Sequence, residues 1–123
     1  MVQASESGAA AHERTVRQPI ADVARYLQEV LGQSLTAAIA DVKNPKAVGQ
    51  WARGTRAPHS PAEQRLRAAF QIVLELVRVE DPPTIRTWFL SMNPLLEDQL
   101  PARVLAQDPA AVLKAARLFA ANG

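Results

Sequence analysis

Apolar side chains recur at helical spacing along this chain, in short segments separated by prolines, glycines and capping residues. The first segment lies between Pro19 and Gly32, and its apolar residues recur at i, i+3, i+4 and i+7. They are Ile20, Val23, Ala24, Leu27, Val30 and Leu31. This spacing predicts an amphipathic helix, because a period of 3.6 residues brings these positions onto one face. Proline suits the first helical position, and glycine suits the residue just past the end.

The same reasoning predicts six further helices. The second begins at an N-cap Ser34, and the third follows an Asn44 cap and ends at Gly54, with Val48 and Trp51 facing inward. The fourth starts with a capping box formed by Ser60 and Glu63 and runs to about residue 79. The later helices are predicted over 84–91, 101–105 and 109–121, the last one capped by Asp108. With aromatic residues at only 5% of the chain, the pattern predicts an all-α fold of about seven helices.

Composition excludes several classes of function. The chain has no cysteine, so it has neither a disulfide framework nor a thiolate metal site. His12 and His59 have no partner at metal-ligand spacing, and no glycine-rich phosphate loop is present. We therefore predict no enzyme activity, no metal and no cofactor. No apolar run approaches the roughly 20 residues of a membrane span, and the first 18 residues, predicted to be a flexible arm, lack the apolar core of a secretory signal. These features favour a cytoplasmic location and no membrane partner.

The segment 35–58 has the features of a helix-turn-helix. Its two helices are the second and third predicted helices, and Ala38 is a small residue where they would touch. Val48 and Trp51 are apolar anchors on the third helix, and Gly54 supplies the turn after it. The W-x-x-G ending followed by a proline resembles the lambda-repressor-like regulators, often called Xre-type. Those motifs usually place glycine between the helices, where Val42 stands here. A β-branched residue does not adopt a positive φ cheaply, so we expect a longer or differently shaped turn.

This resemblance implies DNA binding through the third helix. Three polar side chains would then face base edges, namely Asn44, Lys46 and Gln50, and three cations would contact phosphates, namely Lys43, Arg53 and Arg56. The net charge is only +2, but six Lys or Arg residues and a single acid, Glu63, lie between Lys43 and Arg67. The alternative is that these cations form an ordinary solvated face.

The stretch from Thr87 to Pro109 is densely punctuated. Trp88 and Phe89 are adjacent on a helix and point about 100° apart, so we expect one to fill the core and the other to cover a turn or a partner. The alternative is that both belong to the core. An Asn93-Pro94 turn follows, after which Leu95 and Leu96 are predicted to return to the core. Pro101 then opens a short helix.

This order of residues resembles the toxin-binding domain of Xre/MbcA/ParS antitoxins. The matching positions are Arg86, Trp88, Asn93-Pro94, Leu96, Pro101, Val104-Leu105 and the helix from Pro109. Glu97-Asp98-Gln99 replaces the usual glycine-containing loop. The resemblance implies an Xre-like helix-turn-helix subdomain over residues 19–60, joined through the long fourth helix to a toxin-binding domain over 61–123.

The resemblance also implies a function, namely binding a RES-domain toxin that destroys NAD and occluding its active site. The toxin-binding candidates lie on the final helix and tail, and they are Lys114, Arg117, Phe119, Asn122 and Gly123. Alternatively, Lys114 and Arg117 simply complement the helix dipole, and Phe119 belongs to the core. The family further implies a homodimer, a hetero-oligomer with the toxin, and repression of its own promoter. A stand-alone helix-turn-helix transcriptional regulator is the alternative function.

Overall fold

The computed structural model describes residues 18–122, so the predicted arm before Gln18 and the candidate residue Gly123 lie outside the described residues. Seven α-helices are present in this part of the chain: α1 Ile20–Leu31, α2 Gln33–Ala40, α3 Lys46–Arg53, α4 Ser60–Leu76, α5 Pro82–Phe89, α6 Pro101–Val104 and α7 Pro109–Asn122. A 3₁₀ turn, Pro94–Leu96, lies between α5 and α6. The predicted all-α fold is confirmed. Over residues 18–122 no helix has the length and apolarity to cross a bilayer.

Two helices organise the packing. α1 contacts α2, α3, α4 and α5, whereas α4 contacts α1, α2 and α7. The predicted apolar faces of α1 and α3 are confirmed, since both helices contribute to one continuous core. The largest fully buried side chains of this core include Phe89, Leu27, Leu66, Val48 and Val73. The Arg86 guanidinium also donates to the Val30 carbonyl at 2.8 Å. The region that carries the last four helices is therefore attached directly to the end of α1.

The turn between α2 and α3 avoids the strain that Val42 would suffer in a left-handed conformation. The left-handed residue is Asp41, with φ at 61°, and its N–H bonds to the Ala38 carbonyl at 3.1 Å. Aspartate tolerates this conformation better than a β-branched residue. Val42 then donates its N–H to the Ala37 carbonyl and packs half-buried against the core.

Several helix starts follow the predicted capping rule. Asn44 Oδ1 accepts the Lys46 N–H at 3.0 Å, and Asp108 Oδ1 accepts the Ala111 N–H at 3.1 Å. Asp81 caps α5 in the same way, and the hydrogen bond from the Thr84 N–H lowers the pKa of its carboxyl. Each side chain satisfies a backbone donor that the helix itself leaves free.

Two predicted caps are wrong. Ser34 lies inside α2, because the chain turns at Gly32, with φ at 85°, and enters the helix at once. The cap of α4 is His59 rather than Ser60, since His59 Nδ1 accepts the Ala62 N–H at 3.4 Å. Glu63 does not complete a capping box, and its carboxylate instead pairs with Arg67 at 3.0 Å.

Candidate protein-docking groove and basic face

An apolar groove opens between the end of α5, the 3₁₀ turn and the C-terminal half of α7. Its volume is about 440 Å³. We call it the C-terminal groove and define it by its ten lining residues: Trp88, Ser91, Met92, Asn93, Pro94, Leu95, Ala115, Leu118, Phe119 and Asn122. None of the ten carries a charge, so the groove suits an uncharged apolar ligand surface.

The Asn93-Pro94 turn shapes one wall of this groove. Asn93 Oδ1 accepts the Leu95 N–H at 2.9 Å, and the Asn93 N–H bonds to the Gln99 carbonyl at 3.1 Å. Glu97 and Asp98 both adopt positive φ, at 56° and 62°, in the loop where the resembled family has glycine. The chain thereby reverses within seven residues and returns to Pro101.

This tight reversal separates the two adjacent leucines. Leu96 is buried, but Leu95 is 60% exposed, so the prediction that both return to the core is wrong for Leu95. In a 3₁₀ turn there are three residues per turn, and neighbouring side chains therefore point about 120° apart. Only one of them can face the core, and the other lines the groove.

The remaining wall belongs to α7 and to the tryptophan. Phe89 is fully buried, whereas Trp88 lies at the groove with its ring 5.2 Å from the Phe89 ring and 6.3 Å from the Phe119 ring. Trp88 is itself only 9% exposed and belongs to the buried core, so the expectation that only one of the two aromatics fills the core is wrong, and the alternative that both do so is confirmed. Leu118 is 41% exposed and Met92 is 73% exposed. Three of the largest exposed apolar side chains, Met92, Leu95 and Leu118, thus meet at one site.

The predicted toxin-binding residues fall into two groups. Phe119 and Asn122 line the C-terminal groove, and Lys114 is exposed outside it. Arg117 lies roughly 160° from Phe119 around the helix axis. Its guanidinium pairs at 3.5 Å with Glu75 of α4, a carboxylate only 9% exposed that also pairs with Arg78 at 3.1 Å. Arg117 therefore neutralises a buried charge between α4 and α7.

The predicted DNA-binding residues lie on α3 and on the segments that flank it. Five are exposed, namely Lys43, Asn44, Lys46, Arg53 and Arg56, and Gln50 is half-buried on α3. Gly54, with φ at 75°, turns the chain after α3. As a result Lys43, Asn44 and Arg56 line one cleft of about 460 Å³ together with His59. We call the four cations of this set the basic face, namely Lys43, Lys46, Arg53 and Arg56. Within residues 18–122 none of them forms an ion pair.

Some residues of both sites were missed by sequence reasoning. The sequence pattern assigns no role to Met92 or Leu118, and His59 is considered there only as a metal ligand. Leu118 lies three residues from Ala115, so it extends the apolar face of α7 beyond what the core needs. That excess width was the available signal for Leu118. Nothing in the local sequence marks Met92, since its neighbours across the groove are more than twenty residues away.

Comparison of this chain with family models, with curated proteins and with solved structures gives no match.

Proposed function

We propose that this protein is an antitoxin that binds a RES-domain NAD-degrading toxin through the C-terminal groove and occludes the toxin's active site. The observation that carries the proposal is the exposure of Met92, Leu95 and Leu118 around one uncharged groove. Large apolar side chains gathered at one exposed site on a small domain are typical of a surface that a protein partner covers. A centre free of charge is also typical of such interfaces.

The residues that carry the family resemblance support this site as its scaffold. Arg86 fixes α5 to α1, Trp88 lies at the groove, and the Asn93-Pro94 turn exposes Leu95. Pro101 begins the short helix that leads to α7. We therefore assign the docking contact to Met92, Leu95, Leu118, Phe119 and Asn122, and we give Arg117 a structural role at Glu75. The protein itself acts as a cytoplasmic binding module without enzyme activity.

Inhibition of NAD hydrolysis tests this proposal. The probe is the purified RES-domain enzyme encoded in the reading frame beside that of this protein. We expect the full chain to stop NAD hydrolysis when it reaches a fixed stoichiometric ratio to the enzyme, because an occluded active site does not turn over. An enzyme whose hydrolysis rate is unchanged by an excess of the folded chain, or a genome in which no such enzyme is adjacent, would contradict the antitoxin function.

The basic face supports a second activity, repression of the protein's own promoter by α2 and α3 acting as a helix-turn-helix. Its cations are exposed and lack acidic partners within the described residues, which leaves them available to phosphates. Asn44 uses its side-chain oxygen to cap α3, so base reading falls mainly to Lys46 and Gln50. The alternative function, a stand-alone transcriptional regulator without a toxin partner, would use only this face. Repressors commonly bind as two-fold dimers, and we extend the proposal to a homodimer on DNA.

Arg56→Ala tests the DNA activity. An exposed cation that contacts a phosphate contributes to affinity at all DNA sequences alike. When the variant binds DNA, about one counterion fewer is released than when the wild type binds. We expect binding of a promoter fragment to weaken, with the slope of log affinity against log salt reduced by about 1. Lys114→Ala is the matched control, because Lys114 is an exposed cation on α7 and lies outside α2 and α3. Failure of the wild-type chain to shift the promoter fragment at low salt would remove DNA binding from the account.

A further inference from the structure

Met92 is the most exposed apolar side chain at the C-terminal groove, with 73% of its surface accessible. It lines the groove beside Leu95, Leu118 and Phe119. The chain contains two methionines and no cysteine, and the other methionine is Met1. Over residues 18–122, Met92 is therefore the single sulfur atom, and it lies where a partner would cover it.

Exposure makes this sulfur open to two-electron oxidants. A peroxide transfers one oxygen atom to the thioether: an S=O bond forms, the O–O bond breaks, and water leaves when the oxidant is hydrogen peroxide. The sulfur is oxidised by two electrons and the peroxide is reduced by two. The product, methionine sulfoxide, is polar, and methionine sulfoxide reductases return it to methionine.

We propose that Met92 is a peroxide-sensitive modification site and that its oxidation releases the partner from the C-terminal groove; this inference rests on the proposed docking function. In a complex the sulfoxide oxygen would be enclosed in a groove whose polar lining residues are Ser91, Asn93 and Asn122 and whose other lining side chains are apolar. The nearest hydroxyl along the chain, that of Ser91, already donates its hydrogen to the Thr87 carbonyl at 2.7 Å. Enclosing a polar group without a hydrogen bond is unfavourable, which corresponds to a loss of about 10- to 100-fold in affinity.

The fold is expected to survive this oxidation. Met92 stands outside the buried core, and in the free protein its sulfoxide remains in water. The neighbouring Asn93 turn is held by backbone groups and by the Asn93 side chain, none of which involves the thioether. Oxidation therefore acts on docking and leaves the free energy of unfolding nearly unchanged.

The test compares affinities for the adjacent RES-domain enzyme before and after treatment of the full chain with hydrogen peroxide. Intact-mass and peptide analysis establish that one oxygen atom has been added at Met92. We expect affinity to fall about 10- to 100-fold and to return after treatment with a methionine sulfoxide reductase. The matched control is Met92→Leu, whose affinity, whatever its untreated value, is expected to be the same before and after peroxide. Met1 is present in both proteins, so its oxidation cancels in this comparison.

Three outcomes decide the inference. A loss that follows oxidation of Met92, is absent in Met92→Leu and is reversed by the reductase supports it. Unchanged affinity of the Met92-oxidised chain overturns it while leaving the docking function in place. Absence of binding by the untreated chain overturns the docking function and the inference together. In each case circular dichroism of the oxidised chain shows whether the protein is still folded.

Discussion

Leu95→Asp is expected to weaken binding of the RES-domain enzyme by at least about 100-fold while the protein stays folded. Leu95 is 60% exposed and lines the C-terminal groove, so in the free protein a carboxylate at this position remains in water. In the complex the same carboxylate would be enclosed among uncharged side chains, where desolvation of a charge is costly. The hydrogen bond that shapes the turn uses the Leu95 backbone N–H and is unaffected by the substitution.

Leu90→Asp is the matched control for this experiment. Leu90 is 56% exposed and lies close in sequence, but it does not line the groove. The two substitutions introduce the same charge at similar exposure, so any general effect of charge on association appears in both. Calorimetric titration of the enzyme measures the two affinities, and circular dichroism verifies the fold. Equal affinities for the two variants would place the docking contact elsewhere on the molecule.

Phe89→Ala is expected to lower the free energy of unfolding by about 3–5 kcal/mol, more than any other substitution proposed for this protein. Phe89 is fully buried, and its ring meets the Trp88 ring edge-to-face with centroids 5.2 Å apart. Truncation removes apolar contacts and leaves a cavity that the surrounding helices fill only in part. For a chain of this length the melting temperature should fall by about 10–20 °C. Denaturant unfolding measures the difference directly.

The control for this prediction is again the neighbouring residue. Leu90→Ala also truncates a large apolar side chain, but from an exposed position, and we expect a change within about 0.5 kcal/mol. Similar losses for Phe89→Ala and Leu90→Ala would mean that Phe89 does not hold α5 against the core. Groove docking is expected to weaken in Phe89→Ala as well, because Trp88 depends on Phe89 for its position.

Helix number and the inward face of α3 were predictable because they depend on local periodicity, whereas Ala38, expected where α2 and α3 touch, is exposed. Val48 and Trp51 on α3 are buried as their spacing predicts. Local chemistry gave the wrong answer where two capping residues compete, as at His59 and Ser60. A serine with a glutamate three residues later has the capping signature, but the chain enters α4 one residue earlier.

The groove was not predictable, since it depends on contacts between distant segments. The turn at Pro94–Leu96 packs against α7, and the separation of Leu95 from Leu96 follows from the three-residue period of that turn. The role of Arg117 also depends on a contact with a distant segment. Its sequence position near the helix end favours a dipole or partner role, but the buried carboxylate of Glu75, 42 residues away along the chain, pairs with it.

Titration of the RES-domain enzyme with three proteins, followed by NAD hydrolysis, shows most directly whether the C-terminal groove holds the partner. The adjacent RES-domain enzyme is mixed with increasing amounts of wild type, Leu95→Asp or Leu90→Asp, and the rate of NAD loss is recorded. We expect stoichiometric inhibition by wild type and Leu90→Asp, and hydrolysis that persists at the same concentrations of Leu95→Asp. Inhibition by Leu95→Asp at the wild-type ratio would mean that the partner does not bind at this groove.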